Sequence, residues 1–276
     1  MSLNDILVHV DGAEECARRV DFAVALCKDC DAHLIGAAFA PTALLPLCGA
    51  DVGLADMSEA LDEAKAQGEA ALKRFEACAM GAGLSAEMRL MQGLAEELPG
   101  DFARLARHVD LAVIGQPRGG DPLIGQYALV ERCLFASGRP VIIVPQAGVT
   151  APAGGTLAVA WDGSAEAARA LKDALTYLKT PEGIALLVGA PEDCGEPPET
   201  SDIMAHLKRR GLPTEVVRFS TDAGATGKTI LAKAKEHGAG MIVMGAFHHS
   251  RWREFILGGV TLTMLEETTV PLFMAH

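Results

Sequence analysis

Short, mostly apolar runs recur along the chain between polar stretches: "ILVHV" at 6–10, "LAVIG" at 111–115, "VIIV" at 141–144, "MIVM" at 241–244 and "LFMA" at 272–275. They lack the apolar–polar alternation of a half-exposed strand and predict strands covered on both faces. Between them lie Ala- and Leu-rich segments with helical apolar spacing, such as "VDFAVALCKDC". Strand and helix alternate throughout, which predicts parallel strands joined by crossover helices.

The pattern is also repeated. "DILVHVDGAEECARRVDFAVAL" near the start and "TLAVAWDGSAEAARALKDALTYL" from Thr156 share an apolar strand, Asp-Gly and a helix, so Asp11 and Asp162 correspond. "VDLAVIGQ" then matches "AGMIVMGA", and "GRPVIIVPQ" matches "TVPLFMAH". Three landmarks in one order mark a tandem duplication. The joint falls in "PQAGVTAPAGG", residues 145–155, whose Pro, Gly and small residues suit a linker. The expected fold class is therefore α/β, with two tandem doubly wound domains at 1–146 and 155–276, each carrying a five-stranded, mainly parallel sheet. In the second half the spacing predicts strands near 156–161, 184–189, 214–219, 240–244 and 270–274, and helices near 165–178, 200–211, 226–238 and 259–268. In the first half an insertion after the second strand carries a long helix near 57–80 with one packed stripe and a solvated face.

Composition narrows the function. The 36 acidic residues outnumber 24 basic ones for a net charge of −12, which argues against a protein that grips nucleic acid through its phosphates. No apolar run approaches a membrane span and the N-terminus has no signal-type block, so a cytoplasmic location is expected. Seven cysteines form no dense framework, and reduced thiols are the expectation. Cys27 and Cys30 make a lone CxxC on a helical pattern, with no second pair to complete a metal site, and read as two thiols at a helix end.

Doubly wound sheets bind ligands beyond the carboxyl ends of their strands. In the second half that edge carries Asp162 after the first strand, Val188 and Gly189 at the end of the second, and Gly245 at the end of the fourth. Gly258 and Gly259 then open the last helix. Free backbone N–H groups, a positive dipole end and glycines that allow close approach make this a place for an anion such as phosphate. Between the glycines, His248, His249, Arg251 and Arg253 make a cationic loop. "DAGATGKTIL" at 222–231 resembles a P-loop, but the first glycine position is Asp222, which opposes phosphate, and Thr226 reads as a helix cap. Ser164 also reads as a cap, and no nucleophile, base and orienting acid stand in catalytic spacing.

The residues from Gly245 onward resemble the nucleotide signature of the universal stress protein family, G-x2-G-x9-G-(S/T), and the duplicated layout resembles a tandem member over essentially the whole chain. The resemblance implies an adenine nucleotide alpha hydrolase-like fold and binding of ATP or a related adenine nucleotide, with or without Mg2+. It implies a nucleotide site at Asp162, Val188, Gly245, His248, Gly258, Gly259, Val260 and Thr261. His248 stands where the second signature glycine is usual, and Gly259 where Ser or Thr is usual. In the first half Gly115 keeps the first position, but Arg118, Ala128 and Leu129 replace the rest, so no family-type nucleotide site is expected there. The resemblance also implies an intramolecular pseudo-dimer joined through the last strands, with a further homodimer and an unknown protein partner left open. The alternative function is an interaction module or small-ligand binder that has lost ATP.

Overall fold

A computed structural model describes residues 3–43, 54–117, 126–149, 155–191, 199–221, 224–246 and 259–276. The first half runs β1 (Asp5–Val10), α1 (Cys16–Cys30), β2 (His33–Ala43), α2 (Leu54–Gly81), β3 (Ala86–Leu94), α3 (Leu98–Ala106), β4 (Leu111–Gly115), α4 (Gln126–Ala136) and β5 (Val141–Val144). The second runs β6 (Thr156–Ala160), α5 (Ala165–Tyr177), β7 (Gly183–Pro191), α6 (Ser201–Arg209), β8 (Thr214–Thr221), α7 (Thr226–Glu236), β9 (Ala239–Gly245), α8 (Gly259–Glu267) and β10 (Leu272–Ala275). All ten strands join one sheet in the order β3-β2-β1-β4-β5-β10-β9-β6-β7-β8.

Each half is doubly wound, with its order reversing between β1 and β4 or between β6 and β9. Within each half the strands are parallel, as the crossover helices require. The seam between halves is β5 against β10, antiparallel, pairing Val141 with Met274, Ile142 with Phe273 and Ile143 with Leu272. These are the two last strands, as the resemblance implied.

Successive strand residues point to opposite faces, and both faces are covered. Ile6, Val8, Val113, Ile142, Val159 and Val243 pack under α1, α2 and α5, whereas Leu7, Ala112, Ile143, Ala158 and Ile242 pack under α3, α4, α7 and α8. This double coverage is the reason the strands read as unbroken apolar runs.

Two glycines bring α2 onto the sheet. A Cβ at Gly36 of β2 would lie 2.5 Å from the ring of Phe75, and one at Gly68 of α2 would lie 2.8 Å from the Phe39 carbonyl oxygen. Only hydrogen fits at either point. The helix covers more than the spacing suggested, 28 residues from Leu54, against nine for α6 at the corresponding place in the second half.

Most predicted second-half elements lie within a residue or two of their expected bounds. Ser164 caps α5 as expected, its Oγ accepting the Ala167 N–H at 3.1 Å. Thr226 does not cap α7: it is the first helical residue, Ala225 holds the cap position, and no side chain bonds there. Cys27 and Cys30 close α1 as free thiols, and burial, then the neighbouring Cys30, pushes the Cys27 thiol up to about 12.

The halves are also tied by side chains. Gln116 Nε2 donates to the carbonyls of Leu265, Glu266 and Thr268 at 2.9, 3.0 and 3.2 Å, around the C-terminal end of α8. Its Oε1 accepts the Gln146 N–H at 2.9 Å, and Tyr127 donates its hydroxyl to Glu266 Oε1 at 3.0 Å.

Candidate functional site

At the carboxyl edge of the second half, β6 leads into Asp162 and Gly163. Gly163 has φ 77°, a left-handed turn that tips the chain from strand to α5. Asp162 is exposed at this turn, and its Oδ1 accepts the Ser164 N–H at 2.9 Å. Among the described residues no cation pairs with Asp162.

Gly245 ends β9, the strand beside β6, and its lack of a side chain serves packing. A Cβ there would lie 2.5 Å from the Ala167 nitrogen and 2.7 Å from the Glu166 carbonyl carbon, so the first turn of α5 rests on bare backbone. Across the same edge α8 starts at Gly259, which is exposed and, among the described residues, would meet nothing within 4 Å if it carried a Cβ. Val260 is half-buried and Thr261 buried in the first turn. Val188 lies in β7 with its side chain fully buried in the core. His248 and Gly258, with His249, Arg251 and Arg253, lie outside the described residues. Lys228 of the P-loop-like stretch pairs with Glu267 at 3.3 Å.

The corresponding edge of the first half is chemically different. Asp11 occupies the place of Asp162, but Arg19 reaches it from the buried side of α1 with Nη2 2.9 Å from Oδ2, and the Ala13 N–H bonds Oδ1 at 2.9 Å. Arg19 Nε also donates to the His9 carbonyl at 2.7 Å. The guanidinium lies over Gly115, where any Cβ would collide with it, so this glycine makes room for an arginine. His9 Nδ1 stands 3.6 Å from Asp11 Oδ2. Burial and the Arg19 charge push His9 down to about 3 against the pull of Asp11, so the imidazole is neutral. Burial alone would raise Asp11, yet Arg19, His9 and the Ala13 hydrogen bond together hold it below its usual value.

Beside this trio lies a cavity of about 320 Å³, walled by His9, Asp11, Phe39, Gln67, Gln126 and Leu129 among others. The expectation of no signature-type site in the first half rested on register alone and missed this space. The signal was present in the repeat: His9 and Arg19 of the first half fall where Ala160 and Ala170 stand in the second.

Residues 155–276 match the family model described as "Universal stress protein family". A universal stress protein from Archaeoglobus fulgidus DSM 4304 superimposes on the whole length, with a TM-score of 0.73, 21% identity, and coverage of 100% of this chain and 99% of that one. A Pseudomonas aeruginosa UCBPP-PA14 protein described as a universal stress protein gives a TM-score of 0.54 and 14% identity over 99% and 93%. At these identities the likeness establishes the fold alone. A family protein from Arabidopsis thaliana, whose structure has AMP bound, covers 51% of this chain with 91% of its own at 14% identity and a TM-score of 0.35. No curated protein matches the chain.

Proposed function

We propose that this chain, whose residues 155–276 match the universal stress protein family model, binds ATP or a related adenine nucleotide in its second half and acts as a regulatory or binding protein in the stress response. The observation that carries this reading is the contrast between the two aspartates. Asp162 stands exposed at the strand-order reversal on the edge where α8 presents its open N-terminus, whereas Asp11 is consumed by Arg19. An exposed carboxylate is an acceptor for sugar hydroxyls. The N-terminal N–H groups of α8 are donors for phosphate. On this reading the residues that hold nucleotide are Asp162, the Val188 backbone, Gly245, His248, Gly258, Gly259, Val260 and Thr261. Mg2+ would accompany ATP through the phosphates. The chain then forms two domains, 1–146 and 155–276.

The test begins with purified protein, denatured and analysed for released nucleotide, followed by calorimetric titration of the emptied protein with ATP and AMP, with and without Mg2+. Binding in the micromolar to millimolar range, weakened about tenfold or more by Asp162→Ala, is the expected result. No released nucleotide and no heat at millimolar ligand would sink the reading.

A further inference from the structure

The cavity of the first half has the dimensions of a ligand site and a makeup unlike the second-half edge. Its volume of about 320 Å³ lies at the lower end of small-molecule pockets, which run from roughly 300 to 1,000 Å³. It opens at the carboxyl ends of β1 and β2, and its outer wall is the inserted helix α2, through Ala64, Gln67 and Gly68. The close approach of Gly68 to the Phe39 carbonyl fixes that wall, so the space belongs to the packed fold.

We propose that the first half binds an uncharged, planar heteroaromatic small molecule between Phe39 and the Gln67 turn of α2. One wall is aromatic: Phe39 stands 4.6 Å from the His9 ring and 6.1 Å from Phe102, tilted or edge-on to each. Phe39 is half-buried, so it offers a surface on which a flat ring can stack. Leu129 and Pro99 add apolar lining, and the Gln67 amide supplies a hydrogen-bonding edge. Gln67 donates Nε2 to Glu63 at 3.0 Å, so the other edge of its amide is an acceptor, Oε1, beside Gly12.

The charges present exclude an ionic ligand. Asp11 is the one acidic side chain among the described residues that line the cavity, and its charge is already paired with Arg19 at 2.9 Å. Arg19 does not line the cavity and pairs with Asp11, and no Lys or Arg stands among the described residues that line it, so no cation there faces a carboxylate or phosphate. A charged ligand would lose its hydration with nothing to replace it.

Calorimetric titration of the full chain at neutral pH with indole and benzimidazole, and with benzoate and benzamidine as anionic and cationic counterparts of similar size, tests this. At least one neutral compound is expected to bind about tenfold tighter than either charged one. Ala64→Phe, which fills the cavity from α2, should weaken it about tenfold or more, and Asp162→Ala should leave it unchanged. Ala95→Phe fills the same space from the turn after β3 and gives the answer should Ala64→Phe not fold. Neutral binding that persists in a folded cavity-filling variant would overturn the proposal, as would equal affinity for the charged compounds or no binding of either neutral one. None of these readings depends on whether the second half takes a nucleotide.

Discussion

At the scale of single residues, His9 makes the sharpest prediction. Its ordinary value is 6.5 and the fold holds it near 3. Between those values the unfolded chain takes up a proton that the folded chain refuses, so stability is lost as pH falls from 6.5 toward 3. Within that window the loss approaches roughly 1.4 kcal/mol per pH unit. His9→Phe keeps a ring against Phe39 and Phe102 but cannot titrate. Denaturant unfolding from pH 7 to 4 should therefore give a visibly flatter stability slope for the variant, and identical slopes would refute the assignment. Gly245 and Gly259 make a second, paired prediction. Gly245→Ala drives a methyl into the backbone of α5 and should cost about 1–3 kcal/mol of unfolding free energy. Gly259→Ser enters open space, should leave stability within about 0.5 kcal/mol, and should tighten nucleotide binding by up to about tenfold through the added hydroxyl. The glycines were legible as signature positions, yet their reasons were not. The sequence pattern treats Gly245 and Gly115 alike, whereas one accommodates a helix backbone and the other an arginine.

Among the elements, Gln116 deserves the test, because one amide serves three carbonyls at the end of α8 and links residues about 150 positions apart. Gln116→Leu keeps the bulk and removes the bonds, and should lower stability by about 1–3 kcal/mol in urea titrations. Strands were readable because burial on both faces writes an unbroken apolar run. Ends were less so: β10 begins at Leu272, after Pro271, whose ring nitrogen has no proton to donate, although the apolar run starts at Val270. Thr226 looked like a cap because threonine often is one, but the chain had already turned helical there. The cavity wall was hidden for a different reason. Helical spacing in α2 shows that one stripe packs, and it does not show that two glycines let that stripe close over Phe39.

For the whole molecule, the family resemblance, not the repeat alone, foretold the seam. Because β10 covers the outer edge of β5, a fragment of residues 1–149 would expose "VIIV" as a bare, apolar sheet edge. Such a fragment should self-associate, whereas the full chain should not do so through this edge. Light scattering after size-exclusion chromatography checks this, and a monomeric fragment with native-like circular dichroism would contradict it. The same seam has a further consequence. Its antiparallel sense reverses every strand of the second half relative to the first, so the two carboxyl edges open on opposite rims of one continuous sheet. What enters at the Phe39 mouth and what enters beside Asp162 would approach from opposite rims, with the three backbone pairs of β5 and β10 between the two doorways.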